Sequence, residues 1–367
     1  IDEMIDMVQL LIAKGYAYTT EKGNVYFDVS KKLDYGKLSG QELEKLQGKV
    51  WEKEQDKKNV LDFALWKSEN EAGFYWLSPW GKGRPGWHIE CSVMSNDILG
   101  ESIDIHGGGL DLNFPHHENE LAQCEAHNSK PFVNYWMYSG LLNINGVKMS
   151  KSLGNFITAK DGLDKYGAEL LIYVINTFHY RSDINLQDRI FIDNLNNIAN
   201  FHKTFILVED NYNTNINLDN FELEEISIII NDFFVAMDDD FNTAKALVVL
   251  NKILLILINK IRNRANEKEI VYLYQKIKNL GAILNLFFNK NSEDVLNELF
   301  KFYSEYLYKP KLTLEKINIE IEKIKNALEK KNYFLSDRIR GNLLDRGIKV
   351  MQMENKNIEW QFAFVEK

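Results

Sequence analysis

The chain has 367 residues, 45% hydrophobic and 26% charged, a composition that excludes global disorder and, at about 150 residues per domain, fits two or three domains. A net charge of −9 argues against a generic nucleic-acid binder, and no apolar run reaches the roughly 18 residues of a membrane span, the candidate over 246–262 being broken by Asn251 and Lys252. Two cysteines cannot build a disulfide framework, so a reducing, cytoplasmic setting is expected.

Residues 1–14 place Ile1, Ile5, Met7, Val8, Leu11 and Ile12 at helical spacing, ending near Gly15. The chain enters this helix with neither an initiator Met nor a signal peptide, as the remnant of a longer protein would. Val25–Val29 predicts a short strand, and the polar, turn-rich stretch 30–75 an insertion. A helix is expected over 86–99, after the Pro85-Gly86 turn. Ser102–His106 predicts a strand running into Gly107-Gly108-Gly109, and Pro115–Ala126 a helix with proline near its start. Val133–Leu142 contains a strand, and Gly146–Asn155 reads as a polar loop.

From 160 to 310 amphipathic helices follow one another, with the Asn-rich stretch 211–220 as a surface loop. Residues 312–332 and Phe334–Leu344 predict two more helices, and Ile348–Met353 a short strand. Eighteen of the 21 glycines precede residue 187, and four of the five prolines (Pro79, Pro85, Pro115, Pro131) lie between 79 and 131. The first half is therefore expected to be mixed α/β with functional loops, and the second mostly helical. From Lys311 onward 12 Lys and Arg face 9 Asp and Glu, a local excess of +3 that leaves −12 on the residues before it. A basic tail on an acidic body permits a local polyanion contact.

Five of the seven histidines (His88, His106, His116, His117, His127) and both cysteines (Cys91, Cys124) fall between residues 88 and 127. His116 and Glu120 are four apart on the predicted helix, so they share a face and can converge on one ion. Thiolate, imidazole and carboxylate together suit Zn²⁺. Spacing alone leaves competitors. His117 also reaches the neighbourhood of Glu120, and Cys124 lies one turn beyond it, so the residues do not choose between Cys91 and Cys124. The glycine run, following a strand and preceding Asp111, would let backbone approach a ligand closely and let Asp111 accept from ribose hydroxyls; a bare tight turn fits equally well. Lys148-Met149-Ser150-Lys151-Ser152 places two cations and two hydroxyls on a loop between Gly146 and Gly154, as a clamp on developing phosphate charge would require. A prespecified pentapeptide arises in such a chain by chance roughly once in ten thousand.

These motifs carry a resemblance. KMSKS is the second signature of class I aminoacyl-tRNA synthetases. Gly83–Ser92 (GRPGWHIECS), His106–Leu112 (HGGGLDL) and Phe114–Glu120 (FPHHENE) resemble the cysteinyl-tRNA synthetase family in particular, as does Met237–Thr243 (MDDDFNT), although Ala244 stands where that family often has proline. The resemblance implies an α/β plus all-α chain. Residues 1–160 would be the C-terminal portion of a Rossmann-like catalytic domain with a connective insertion at about 16–80. Residues 161–310 would be a stem-contact fold and helical tRNA-binding bundle, and 311–367 a small C-terminal α/β anticodon module.

The family holds one zinc with two cysteines, a histidine and a glutamate. Cys91, His116 and Glu120 match three of these positions, and Cys124 matches none. The other cysteine ligand and a HIGH-like signature lie, in that family, nearer the N-terminus, and neither occurs in these residues. The resemblance thus implies about a domain's worth of preceding chain, and inactivity of these residues alone in pyrophosphate exchange.

By the same resemblance Lys151, with Ser150 and Ser152, contacts ATP, supplied as the Mg²⁺ complex, and Lys148 is catalytic with Lys151 and supports the loop. His106, Gly107, Gly108, Gly109 and Asp111 hold the adenylate, and Trp87 and His88 line the cysteine pocket. Trp360, Phe362, Arg338 and Arg340 are candidate contacts to tRNA(Cys), and a monomer is expected. Two other readings share parts of this pattern: a cysteine-activating ligase of mycothiol synthesis, with no use for an anticodon module, and a non-catalytic tRNA- or zinc-binding paralogue.

Overall fold

The computed structural model describes residues 1–41, 56–69, 73–218, 221–288, 290–307, 309, 312–353 and 357–363. Parts of the predicted insertion (42–55, 70–72), the end of the Asn-rich stretch and the boundary at Pro310-Lys311 lie outside them. The chain divides into two units, 1–141 and 142–367.

In the first unit, helix α1 (Asp2–Ala13) buries Met7, Val8 and Leu11, one stripe of its amphipathic pattern. Strands β1 (Ala17–Thr19), β2 (Val25–Phe27), β3 (Phe63–Ser68), β4 (Trp76–Ser78) and β5 (Gly81–Pro85) form an antiparallel sheet in the order β1-β2-β3-β5-β4. The predicted strand at Val25–Val29 stops at Phe27, where Asp28 caps a single 3₁₀ turn over Val29–Lys31. Phe27 stacks on Phe63 with ring centroids 4.9 Å apart, and both join Trp66 in the core beneath α1.

Helix α2 (Trp87–Leu99) starts directly after β5. Strands β6 (Ile103–Gly109) and β7 (Val133–Ser139) pair in parallel, in register from Ile103↔Val133 to Gly109↔Ser139, and α3 (Glu118–Asn128) makes the crossover that parallel pairing demands. The predicted glycine turn is therefore corrected: Gly107–Gly109 continue the strand, because their backbone groups pair with Met137, Tyr138 and Ser139. The helix predicted from Pro115 begins at Glu118, after a wide turn over Asn113–His117.

In the second unit, β8 (Leu142–Ile144) pairs antiparallel with β9 (Val147–Lys148) and parallel with β10 (Ile184–Leu186), a strand that local pattern did not predict. Helices α4 (Ala159–Tyr166), α5 (Ala168–Asn176), α6 (Asp188–Asn211), α7 (Glu224–Asp238), α8 (Thr243–Arg262), α9 (Glu267–Ile283), α10 (Ser292–Tyr306), α11 (Leu314–Glu329) and α12 (Tyr333–Leu344) follow. Asparagine side chains at 242, 266, 291 and 332 accept backbone N–H groups at the starts of α8, α9, α10 and α12, which gives part of the asparagine content a structural use. Helix α6 buries Phe191, Leu195, Ile198, Phe201, Phe205 and Val208, the spacing of a helix at the centre of a bundle.

The chain ends in a hairpin of β11 (Ile348–Gln352) and β12 (Ile358–Phe362). Trp360 and Phe362, candidate base-stacking groups by sequence, are buried against Phe300, and Phe362 also against Tyr303. Their rings are core and leave no face for a base. The Asn196 side chain both donates to the Phe362 carbonyl and accepts its N–H, and Lys203 donates to the Trp360 carbonyl at 2.7 Å. Arg338 is exposed, whereas Arg340 is partly covered and donates to Gln352.

Candidate active site

The first unit gathers most of the predicted site residues. Helix α2 carries Trp87, His88 and Cys91; Trp87 and Cys91 are one turn apart and share a face. The start of α2 depends on Gly86, whose N–H bonds to the Leu65 carbonyl at 2.9 Å. A Cβ on Gly86 would lie 1.9 Å from the Ala64 carbonyl oxygen, on the backbone of β3. Gly86→Ala must therefore displace either β3 or the first turn of α2. We expect a loss of about 1–3 kcal/mol in urea unfolding, the usual cost of overpacking; an unchanged midpoint would show that the strand yields freely.

His116 lies in the turn leading into α3, and Glu120 in the helix itself. His116 Nε2 stands 2.6 Å from Glu120 Oε1, and His106 Nε2, from β6, stands 3.2 Å from Oε2. The sulfur of Cys91 joins the His116 and Glu120 donor atoms, all three lying within 4.8 Å of one another; His106, His117 and Glu120 form a second such set. His116 stacks on Trp87, centroids 4.6 Å apart, and its Nδ1 lies 2.9 Å from His88 Nδ1. Cys124 is elsewhere, fully buried in an apolar cluster with Ile103, Leu121 and Phe132, its thiol donating toward the Ser92 carbonyl.

Electrostatics follow from this packing. Burial opposes ionisation of Glu120, but the His106 and His116 rings prevail and hold its carboxyl down at about 2. Burial likewise opposes protonation of His116, yet Cys91 and Glu120 raise it to about 9. His88, buried and facing His116, is lowered to about 3, and burial lowers His117 to about 4. Burial pushes the Cys124 thiol up to about 12.

The residues fit a metal ion. Glu120 is 1% exposed and neither of its oxygens receives an aligned hydrogen bond, despite the two imidazole nitrogens beside them. A buried carboxylate left this way has the environment a bound cation satisfies. A thiol, an imidazole and a carboxylate are a zinc donor set.

Gly107 and Gly109 line the edge of β6 with Asp111 in the turn beyond, while the ring of His106 turns to Glu120. Gly108 has a packing role unseen in the sequence: a Cβ there would come within 2.8 Å of the His117 ring. Sequence reasoning also missed Trp136 and Tyr138. Their alternate positions on β7 were the available signal, and Tyr138 Oη lies 3.1 Å from His117 Nδ1.

The second unit holds the KMSKS loop. Lys148 ends β9, and Lys151 and Ser152 are exposed beyond it. Asn155, unremarked in the sequence, closes the loop: its Oδ1 accepts the Ser150 N–H at 2.9 Å and its Nδ2 donates to the Lys148 carbonyl at 3.1 Å. Ser150 and Ser152 hydroxyls are 3.3 Å apart, and the Lys151 ammonium lies 5.5 Å from the Phe156 ring centroid.

A family model described as the tRNA synthetases class I (C) catalytic domain matches residues 1–196, and a DALR domain model matches 232–289. The fold and its motifs are those of a class I aminoacyl-tRNA synthetase. A cysteine-tRNA ligase of Thermodesulfovibrio yellowstonii is 42% identical over 95% of this chain and 73% of its own length. One of Acinetobacter baylyi is 39% identical over 99% of this chain and 75% of its own. Among solved structures, a Mycobacterium tuberculosis methionyl-tRNA synthetase in complex with methionyl-adenylate aligns with a TM-score of 0.47 and 11% identity, covering 84% of this chain and 74% of that one. The chain belongs to the cysteine-tRNA ligase family and is a ligase by that membership.

Proposed function

We propose that the protein activates L-cysteine with ATP, as its Mg²⁺ complex, passes the acyl group to tRNA(Cys), and selects its substrate by the thiol at a zinc site formed by Cys91, His116 and Glu120. The observation that carries the selection step is the buried Glu120 carboxylate, without an aligned donor, beside the Cys91 sulfur and the His116 ring. Zinc bound there would hold the substrate sulfur as a thiolate, which serine's harder, far less acidic hydroxyl cannot match.

The protein's own groups supply the rest. Trp87, 60% exposed yet stacked on His116, presents a wall beside the donor set, and His88 backs His116 from within. Gly107–Gly109 and Asp111 hold the adenylate along the edge of β6. Lys151, supported by Lys148, Ser150 and Ser152, places positive charge on the phosphates in the transition state. Residues 161–310 contact the tRNA stem, and Arg338, on the surface of α12, remains a candidate phosphate contact. A cytoplasmic monomer goes with this reading; both cysteines are free, and no helix among the described residues is long and apolar enough to cross a membrane.

Cysteine- and serine-dependent pyrophosphate exchange, measured on the whole gene product, tests the selection. Shape alone separates near-isosteres by roughly 10–200-fold. Discrimination above that range, falling when a chelator strips the metal, is expected. Discrimination unchanged in protein proven metal-free would overturn it.

A further inference from the structure

The mechanism above leaves unused a carboxyl group two residues before Glu120. Glu118 is 0% exposed, and both of its oxygens are engaged: Oε1 accepts the Gly36 N–H at 2.9 Å and Oε2 the Ser39 N–H at 2.8 Å. The next residue repeats the contact, since the Tyr35 hydroxyl donates to Asn119 Oδ1. Two turns beyond Glu118 along α3, Glu125 pairs with Lys32 at 2.8 Å and with Lys37 at 2.6 Å. Segment 32–39 is thus fastened to the helix that carries Glu120 by buried hydrogen bonds to its backbone and by a partly covered ion-pair network. Leu38 adds an apolar contact with the Leu121–Cys124 cluster.

The segment also reaches the metal-facing histidines by a second route. The Tyr35 ring packs on Phe63 at 6.5 Å, Phe63 meets His88 edge-on at 5.6 Å, and His88 Nδ1 abuts His116 Nδ1. Two lines of contact, one through α3 and one through an aromatic row, with Tyr35 taking part in both, therefore run from segment 32–39 to Glu120 and His116. The Glu120 carboxylate meets the His106 and His116 rings, and its placement against them also depends on the backbone that bears it. Glu118, two residues earlier on the same helix, ties that backbone to segment 32–39.

We infer that Glu118 is a positioning residue of the metal centre, docking segment 32–39 onto α3 so that Glu120 and His116 are held ready for the ion. The inference rests on the metal reading of Cys91, His116 and Glu120. Glu118→Gln is nearly isosteric, but its amide nitrogen faces a backbone N–H where an acceptor is required, so one of the two clamps is lost.

The test is cobalt(II) binding by the whole gene product, followed by its visible spectrum and by competition with a chelator well below the unfolding midpoint. Loss of a residue that orients ligands typically costs about 10–100-fold in metal affinity. We expect Glu118→Gln to weaken cobalt by that factor and to alter the band pattern, which reports ligand geometry. Tyr35→Phe keeps the ring and loses only the hydroxyl, and should act in the same direction to a smaller extent. It serves as the deciding variant if Glu118→Gln does not fold. A lowered unfolding midpoint with cobalt affinity and spectrum unchanged would reduce Glu118 to a structural residue and overturn the inference. Wild-type protein that binds no cobalt overturns the metal reading itself.

Discussion

Lys151→Ala should lower the rate of cysteine-dependent pyrophosphate exchange by two orders of magnitude or more, with cysteine's KM nearly unchanged. The side chain is exposed on a loop and makes no ion pair among the described residues; its ammonium rests 5.5 Å from the Phe156 ring centroid. A cation held that loosely contributes little to the folded state, so a large loss of exchange would report the proposed contact with developing phosphate charge. Removing one group that stabilises a transition-state charge typically costs about 10²–10³-fold in turnover. The substitution should leave the unfolding midpoint within about 0.5 kcal/mol of wild type, as surface changes usually do. Near-normal exchange by the Lys151→Ala protein would remove the lysine from the chemistry. Lys151→Arg tests whether charge alone suffices, because guanidinium differs from ammonium in shape and hydration.

Metal content divides the two cysteines. In the whole gene product, Cys91→Ser or His116→Ala should lower zinc affinity by at least about tenfold, whereas Cys124→Ala should leave it within experimental error. Cys91 shares a donor set with His116 and Glu120, while burial keeps the Cys124 thiol protonated up to about 12 inside an apolar cluster. Only a thiolate binds zinc well, so the environment of Cys124 disfavours the required species. Deleting it costs core packing, not a ligand. Chelator competition at pH 7.5 reads the difference. Zinc lost on Cys124→Ala and kept on Cys91→Ser would reassign the ligands.

How much of this was legible in the sequence varies with the range of the forces involved. Helices α1 and α2 were legible because spacing and local turn residues define them: Met7, Val8 and Leu11 make the buried stripe, and Gly86 precedes Trp87. The conformation of Gly107–Gly109 was not. Glycine permits turn and strand alike, and the pairing that decides lies some thirty residues on, at Met137–Ser139. Strand β10 was hidden for the same reason, being three residues long and defined only by its parallel partner Leu142–Ile144.

The site shows the same division. His116 and Glu120 were paired by a four-residue spacing, which survives although His116 precedes the α-helix. Spacing also put Cys124 one turn from Glu120, and nothing local reveals that its thiol turns into Ile103, Leu121 and Phe132 instead. His106, reached only by the crossover from β6, faces the same carboxylate from another element. Trp360 and Phe362 were legible as aromatic but not as buried, since burial depends on α6 and α10 far upstream.

The last of these has a bearing on how the chain can be cut or joined. Strand β12 contributes two large rings to the same interior as Phe300 and Tyr303, and Asn196 grips its backbone at Phe362 from both sides. The C-terminal hairpin is thus built into the core of the helical half, and exchanging it also exchanges part of that core. A graft made upstream of it must bring its own substitutes for Trp360 and Phe362, or the recipient bundle is left with an open seam.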